Sequence, residues 1–152
     1  RGRPEHGGNR NYFGVEGITA AKASPIRAAL ARIARVREAS PALQRGLQVN
    51  VELQGTRAAF YRVYQHAGNA QIALVLLNKG DATARFTIDS MLQAGRWTSA
   101  LDGGVIEVAA GGKLEASVPA HGVQVYLLDA PVADPALMAA LDGAMAGARL
   151  PR

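Results

Sequence analysis

The sequence predicts a mostly β protein, an antiparallel sandwich or barrel, led in by one amphipathic helix and closed by a shorter one. Three observations carry this. Between Leu47 and Leu128 apolar residues recur at a period of two, in eight short runs. Glycine-rich turn signals separate the runs at roughly ten-residue intervals, as in all-β sandwiches. Only Ser24–Gly46 and the stretch after Asp134 change to the helical period.

The elements follow in order. Residues 1–17, RGRPEHGGNRNYFGVEG, have no period and read as an irregular loop. Ile18–Ala23 can form a turn or short helix. Ser24-Pro25 is a helix start, with Ser as cap and Pro at the first helical position, where its missing N–H costs nothing. Ile26, Ala29, Leu30, Ile33 and Val36 then fall on one face, with Arg27, Arg32 and Arg35 on the others. Arg37 sits in the last turn, where it meets the negative end of the helix dipole. Ser40-Pro41 stops the helix, because the residue before a proline is pushed out of the helical region.

In Leu47–Gln54 the apolar Val49, Val51 and Leu53 are expected inward. Gly55-Thr56 turns the chain into Arg57–Gln65, and His66–Ala70 is a loop. Gln71–Asn78 is apolar on both faces, as a central strand is. Arg85–Asp89, Gly95–Leu101, Val105–Val108, Lys113–Val118 and Val123–Leu128 complete the strands, with Asp102-Gly103-Gly104 and Ala110-Gly111-Gly112 as hairpin turns. Residues 130–135 are a Pro/Ala linker. Asp134-Pro135 repeats the cap-plus-proline signal for an amphipathic helix to about Ala148, too short to stand alone in water.

With 152 residues the chain can bury a full core without staples. It has no cysteine, which excludes disulfides, thiolate metal sites and a cysteine nucleophile. Residues 1–65 hold eleven Lys/Arg against four Asp/Glu, a net of +7, while residues 66–152 hold six against eight, a net of −2. The arginines are spaced along a solvated helix face without interleaved aromatics, so no nucleic-acid partner is expected. No run reaches the ~18 apolar residues of a membrane span, so no membrane partner is expected. The chain starts Arg-Gly-Arg-Pro and reads as a piece of something longer.

There is no P-loop, G-x-S-x-G, H-E-x-x-H or EF-hand pattern, and His6, His66 and His121 are isolated in loops, so no metal ligand set is expected. No catalytic residue is assigned within the chain. The front loop is the one local concentration of binding chemistry. Glu5, His6, Asn9, Arg10, Asn11 and Tyr12 gather acceptors, donors and an aromatic ring, the mixture that sugar hydroxyls and a sugar's apolar face require. A plain surface loop with Arg10 in an ion pair would look the same.

Taken in order, these motifs resemble a known family. An Asn9-Arg10 loop precedes a helix ending Val36-Arg37-Glu38-Ala39-Ser40-Pro41-Ala42-Leu43-x-x-Gly46. A strand with Phe60-Tyr61, an apolar strand ending in Asn78, a Trp97 strand running to Leu101-Asp102-Gly103, and a close on Val118-Pro119-Ala120-His121-Gly122-Val123 follow. This resembles the C-terminal portion of the α-amylase superfamily (glycoside hydrolase family 13), with a front loop similar to that of cyclodextrin glucanotransferases and maltogenic amylases.

The resemblance implies three segments. Residues 1–46 would be the last loop and helix of a catalytic (β/α)8 barrel, 47–129 an eight-stranded Greek-key sandwich, and 130–152 a linker and helix. Arg10, with His6 and Asn9, would face a sugar subsite, since such barrels build their sites from loops at that end. His6 stands where the family's loop carries Asp, which leaves Arg10 as the direct match.

The family's three catalytic carboxylates lie on earlier strands, so this chain would be the non-catalytic end of a retaining α-glucan-active enzyme. Its partners would be its own barrel and, in the parent, an α-glucan. No cofactor is expected in this chain, since the family's calcium sites lie mostly outside this portion, and the resemblance implies that the setting would be periplasmic or extracellular. The Ile26/Leu30/Ile33 face, without its barrel, would self-associate or receive the 134–148 helix. Two other readings stay open: a free-standing carbohydrate-binding sandwich with Trp97 and Tyr126 as stacking platforms, and a basic interaction module without a sugar role.

Overall fold

The computed structural model describes residues 14–148, and the side chains of Pro25 and Ile26 fall outside the description. The chain divides into two compact units, residues 1–35 and 36–152. In the first unit, α1 (Gly14–Lys22) begins earlier than the turn or short helix expected at 18–23. It buries none of its residues, and Val15 and Ile18 are exposed. The helix α2 (Pro25–Ala39) starts and stops where the two Ser-Pro pairs require. Within it Leu30 is 62% and Ile33 43% exposed.

In the second unit the exit from α2 is more structured than a stop signal implies. Ser40 is extended and caps a further short helix, α3 (Pro41–Arg45), which the sequence reading lacks. Its hydroxyl accepts from the Leu43 N–H at 3.2 Å and donates to Gln71 Oε1 at 2.5 Å. The same Gln71 oxygen accepts from the Ala42 N–H at 3.3 Å, and Gln71 Nε2 donates to Asp129 Oδ1 at 2.7 Å. Ser40 is wholly buried and Gln71 nearly so. Each polar atom therefore has a partner away from water, the condition under which polar burial is tolerated.

Gly46 ends α3 at φ −63°, a value open to any residue. Its constraint is space: a Cβ would press on the Ala42 carbonyl and lie 2.9 Å from Val63 N.

The strands are β1 (Leu47–Gln54), β2 (Arg57–His66), β3 (Asn69–Asn78), β4 (Ala84–Ile88), β5 (Gly95–Ser99), β6 (Val105–Val108), β7 (Leu114–Val118) and β8 (Gly122–Leu128). Six form one antiparallel sheet in the order β1-β2-β3-β8-β5-β6, and β4 pairs with β7 in a second. One apolar core joins both sheets: Phe86, Ile88, Leu114 and Val118 from the small sheet meet Tyr61, Leu74 and Trp97 from the large one.

β3 is buried on both faces, as its composition predicts. Ile72, Leu74 and Leu76 enter the core, while Ala73 and Val75 are buried on the opposite side. α3 packs on β2 and β3. The expected loop at His66–Ala70 is a two-residue hairpin: His66 pairs with Asn69, and Ala67 and Gly68 turn the chain at φ 50° and 80°.

One inward assignment fails. The pairing of β1 with β2 steps from Asn50–Phe60 to Glu52–Ala59, so Val51 is an extra residue, a β-bulge. Past a bulge the alternation of faces inverts. Val49 is buried and Val51 packs on the core, but Leu53 is 66% exposed. Glu52 falls opposite buried Ala59 and binds Arg57, with Arg57 Nε 2.9 Å from Glu52 Oε1. Arg57 in turn lies over the Phe86 ring at 4.3 Å.

The C-terminal helix α4 (Pro135–Ala148) docks on β1. Asp134 caps it, with Oδ1 accepting from the Leu137 N–H at 2.8 Å, and Leu137 is wholly buried in the core. The apolar stripe that carries Leu137 is thus taken up by the sheet core. The linker before it is fastened by two glutamines: Gln65 Oε1 accepts from Val132 N at 3.0 Å, and Gln93 Oε1 accepts from Ala133 N at 2.6 Å.

Replacing Ser40 by Ala removes the α3 cap and strands the buried Gln71 oxygen. It is expected to cost about 1–3 kcal/mol, read as a lower urea midpoint with an unchanged slope. An unchanged midpoint would contradict the role given to this hydroxyl.

Candidate functional site

His6, Asn9 and Arg10 lie outside the described residues. The chemistry that can be placed is in the second unit. Four of its acidic side chains sit against basic partners. Glu52 pairs with Arg57, Glu115 with Lys113 at 2.9 Å, Glu107 with Arg96 at 3.7 Å, and Asp81 with His121 at 2.9 Å. Among the described residues no three His, Cys, Asp or Glu side chains gather as a metal site would require.

Two carboxylates are held in their charged form. Asp102 lies below the ordinary aspartate range, chiefly because the Gly104 N–H donates to its Oδ1 at 2.9 Å, with help from the Ser99 hydroxyl and from Gln124. Glu115 is lowered by its bond to Lys113. Tyr61 moves the other way. Burial, with the Asp134 charge adding to it, raises its phenol far above the usual range, so it stays neutral.

The aromatic platforms considered from sequence are not available. Trp97 is wholly buried, its ring centroid 6.4 Å from that of Tyr61 and its Nε1 donating to Gln93 O at 3.0 Å. Tyr126 is 7% exposed. Both rings serve the core, since a stacking surface for a sugar must present a face to solvent.

What the fold does build is an open groove of about 590 Å³ between α4 and the β1–β2 end of the large sheet. Leu47, Val63, Val132, Met138, Leu141 and Met145 supply its apolar lining. Arg45, Tyr64, Gln65, His66 and Asp142 supply polar groups. Tyr64 is half-buried, and its ring meets the His66 ring edge-on at 6.5 Å.

Sequence reading missed this set. Arg45 comes from α3, Tyr64 and His66 from β2, and Asp142 from a helix seventy-six residues beyond His66. Only the amphipathic spacing of Leu137, Leu141 and Met145 hinted that something would dock there.

Replacing Asp102 by Asn keeps an acceptor for Gly104 but removes an ionisation. The folded value of Asp102 lies below its unfolded one. Its contribution is thus present above the unfolded value and is lost as pH falls through the folded one. The stability gap between wild type and Asp102→Asn is expected to narrow on acidification from about pH 7 to about pH 3, measured as urea midpoints. A gap that widens would reverse the assignment.

No family model and no curated protein matches the chain. Solved structures do match it in fold. An α-amylase from Anoxybacillus superposes with a TM-score of 0.54 over 66% of this chain at 23% identity. The α-amylase of Geobacillus thermoleovorans, complexed with acarbose, gives 0.54 over 63% at 17% identity. AmyP in complex with maltose gives 0.52 over 65% at 22% identity. The match takes in only 21%, 21% and 19% of those longer chains. At these identities the likeness is one of fold: the chain shares the architecture of a portion of α-amylases.

Proposed function

We propose that this chain is the C-terminal part of a retaining α-glucan-active enzyme, acting in transfer or hydrolysis of starch-type chains. On this reading residues 1–46 end the catalytic barrel, 47–129 form an eight-stranded Greek-key sandwich, and 130–152 are the linker and terminal helix. The observation that carries the reading is the joint. An arginine-bearing helix enters the sheet module through Ser40-Pro41 and Gly46, locked by Gln71, and that module has the architecture found in α-amylases.

The division of labour follows. The sheet module contributes packing, with Glu52 and Glu115 in ion pairs and Tyr61, Phe86, Trp97 and Tyr126 in the core. Nucleophile and general acid would come from the barrel, as retaining glycoside cleavage requires two carboxyl groups about 5–5.5 Å apart. Arg10 would bind substrate with its fixed donors, beside Asn9 and His6. The barrel would cover the apolar side of α2. In the isolated chain the exposed Leu30 and Ile33 have a second copy as their available cover.

Two measurements test this. The isolated chain is expected to release no sugar from starch, whereas in the enzyme that carries it Arg10→Ala should lower kcat/KM on maltoheptaose about 10- to 100-fold, the worth of a charge-assisted hydrogen bond. An unchanged kcat/KM would remove Arg10 from the site. Sedimentation velocity should show concentration-dependent association of the isolated chain, abolished in Leu30→Glu/Ile33→Glu. A wild type that stays monomeric at all concentrations would refute the self-association.

A further inference from the structure

Two uncovered apolar features of this chain differ in the sign of their charge. On α2, Leu30 and Ile33 are exposed, and Arg37 continues their face four residues after Ile33. The helix holds four arginines against one glutamate, a net of +3. The other feature is the groove between α4 and the β1–β2 end of the large sheet. Met138 and Met145, each about two-fifths exposed, line its helix wall. Methionine adapts to irregular apolar shapes, and an apolar groove is the usual seat for the apolar face of a helix.

The helix wall is acidic. Residues 130–148, the linker and α4, hold Asp134 and Asp142 and no Lys or Arg, a net of −2. The last turn of α4 has no basic residue to offset the negative end of its dipole. Asp142 lines the groove between the two methionines in sequence. Among the described residues, neither its carboxylate nor the Arg37 guanidinium has a hydrogen-bond or ion-pair partner. The groove's one arginine, Arg45, also finds its opposite on α2, in Glu38.

We propose that the groove receives α2 of a second copy, reciprocally, so that a dimer holds two such contacts. Leu30 and Ile33 lie among Met138, Leu141 and Met145, and Arg37 meets Asp142. Charge decides against the simpler pairing of α2 with α2, which brings together two helices of net +3. Like charges set against each other across an interface cost affinity. Reciprocity closes the assembly, where a one-way contact would string copies into a filament. The inference rests on the self-association given under Proposed function and names the surface that receives α2.

The test is sedimentation velocity of the whole chain with an exchange of charges. Arg37→Asp alone sets two acids against each other at each contact, and Asp142→Arg alone sets two bases. Each is expected to weaken the dimer at least about tenfold. Mixed one to one, the two variants present opposite charges at both contacts. The mixed dimer is expected within about threefold of wild-type affinity. Met145→Glu, which touches only the groove side, should weaken the dimer at least about tenfold by placing a charge in an apolar contact. Arg37, Asp142 and Met145 are exposed, so each variant keeps the urea midpoint of wild type.

An Asp142→Arg chain that associates as wild type does, or a mixture no tighter than its components, would overturn the groove as the receiving surface and leave the self-association standing. A wild type that stays monomeric would overturn both, and its binding to phosphatidylglycerol vesicles would then give α2 to a lipid surface. Neither result touches the Arg10 kinetics, which judge the enzyme reading separately.

Discussion

One side-chain amide organises the second unit. Gln71, near the start of β3, accepts from the Ser40 hydroxyl and the Ala42 N–H and donates to Asp129. Those partners lie twenty-nine or more residues away on either side. The amide thus ties the short helix α3 to the central strand and the central strand to the end of β8. A glutamine in an otherwise apolar strand is costly unless every atom is matched, and here the matching is what fixes where α3 sits on the sheet. The close approach at Gly46 and the cover over β2 and β3 both follow from that placement.

A second polar anchor closes the far end of the same strand. Asn78 is buried. Its Nδ2 lies within hydrogen-bonding distance of the carbonyls of Ala82, Val118 and Pro119, at 2.8, 3.1 and 3.0 Å, and its oxygen accepts from Gly80 N at 2.9 Å. The small sheet leaves and rejoins the large one at this point. β3 therefore carries an apolar middle for cohesion and a buried amide at each end for position.

Much of this was legible in the sequence, and the reasons are local. Strand alternation, the two Ser-Pro pairs, the Asp134 cap and the Gly-rich turns are short-range signals, and each marks an element that forms. The two-faced apolar run of β3 correctly announced a central strand. What escaped depends on pairing. The Val51 bulge is a property of β1 against β2 and cannot be seen in β1 alone, so Leu53 was assigned to the wrong face. Trp97 and Tyr126 could have been platforms or core until the second sheet closed over them. α3 was hidden because five residues are too few to show a period. The groove was hidden because its polar groups come from three elements far apart in the chain.

The fastening of the C-terminal helix has a consequence for how the module comes apart. Gln93 takes the indole N–H of buried Trp97 on its backbone carbonyl, while its side chain holds the linker at Pro131, Ala133 and Asp134. Leu137, one turn further on, sits in the core itself. A terminal helix tied to the core tryptophan and plugged into the core is a poor candidate for independent fraying. It belongs to the same cooperative unit as the sheets. α4 thus acts as a latch on β1, a strand more than eighty residues earlier, so that its docking registers whether the sheets are intact.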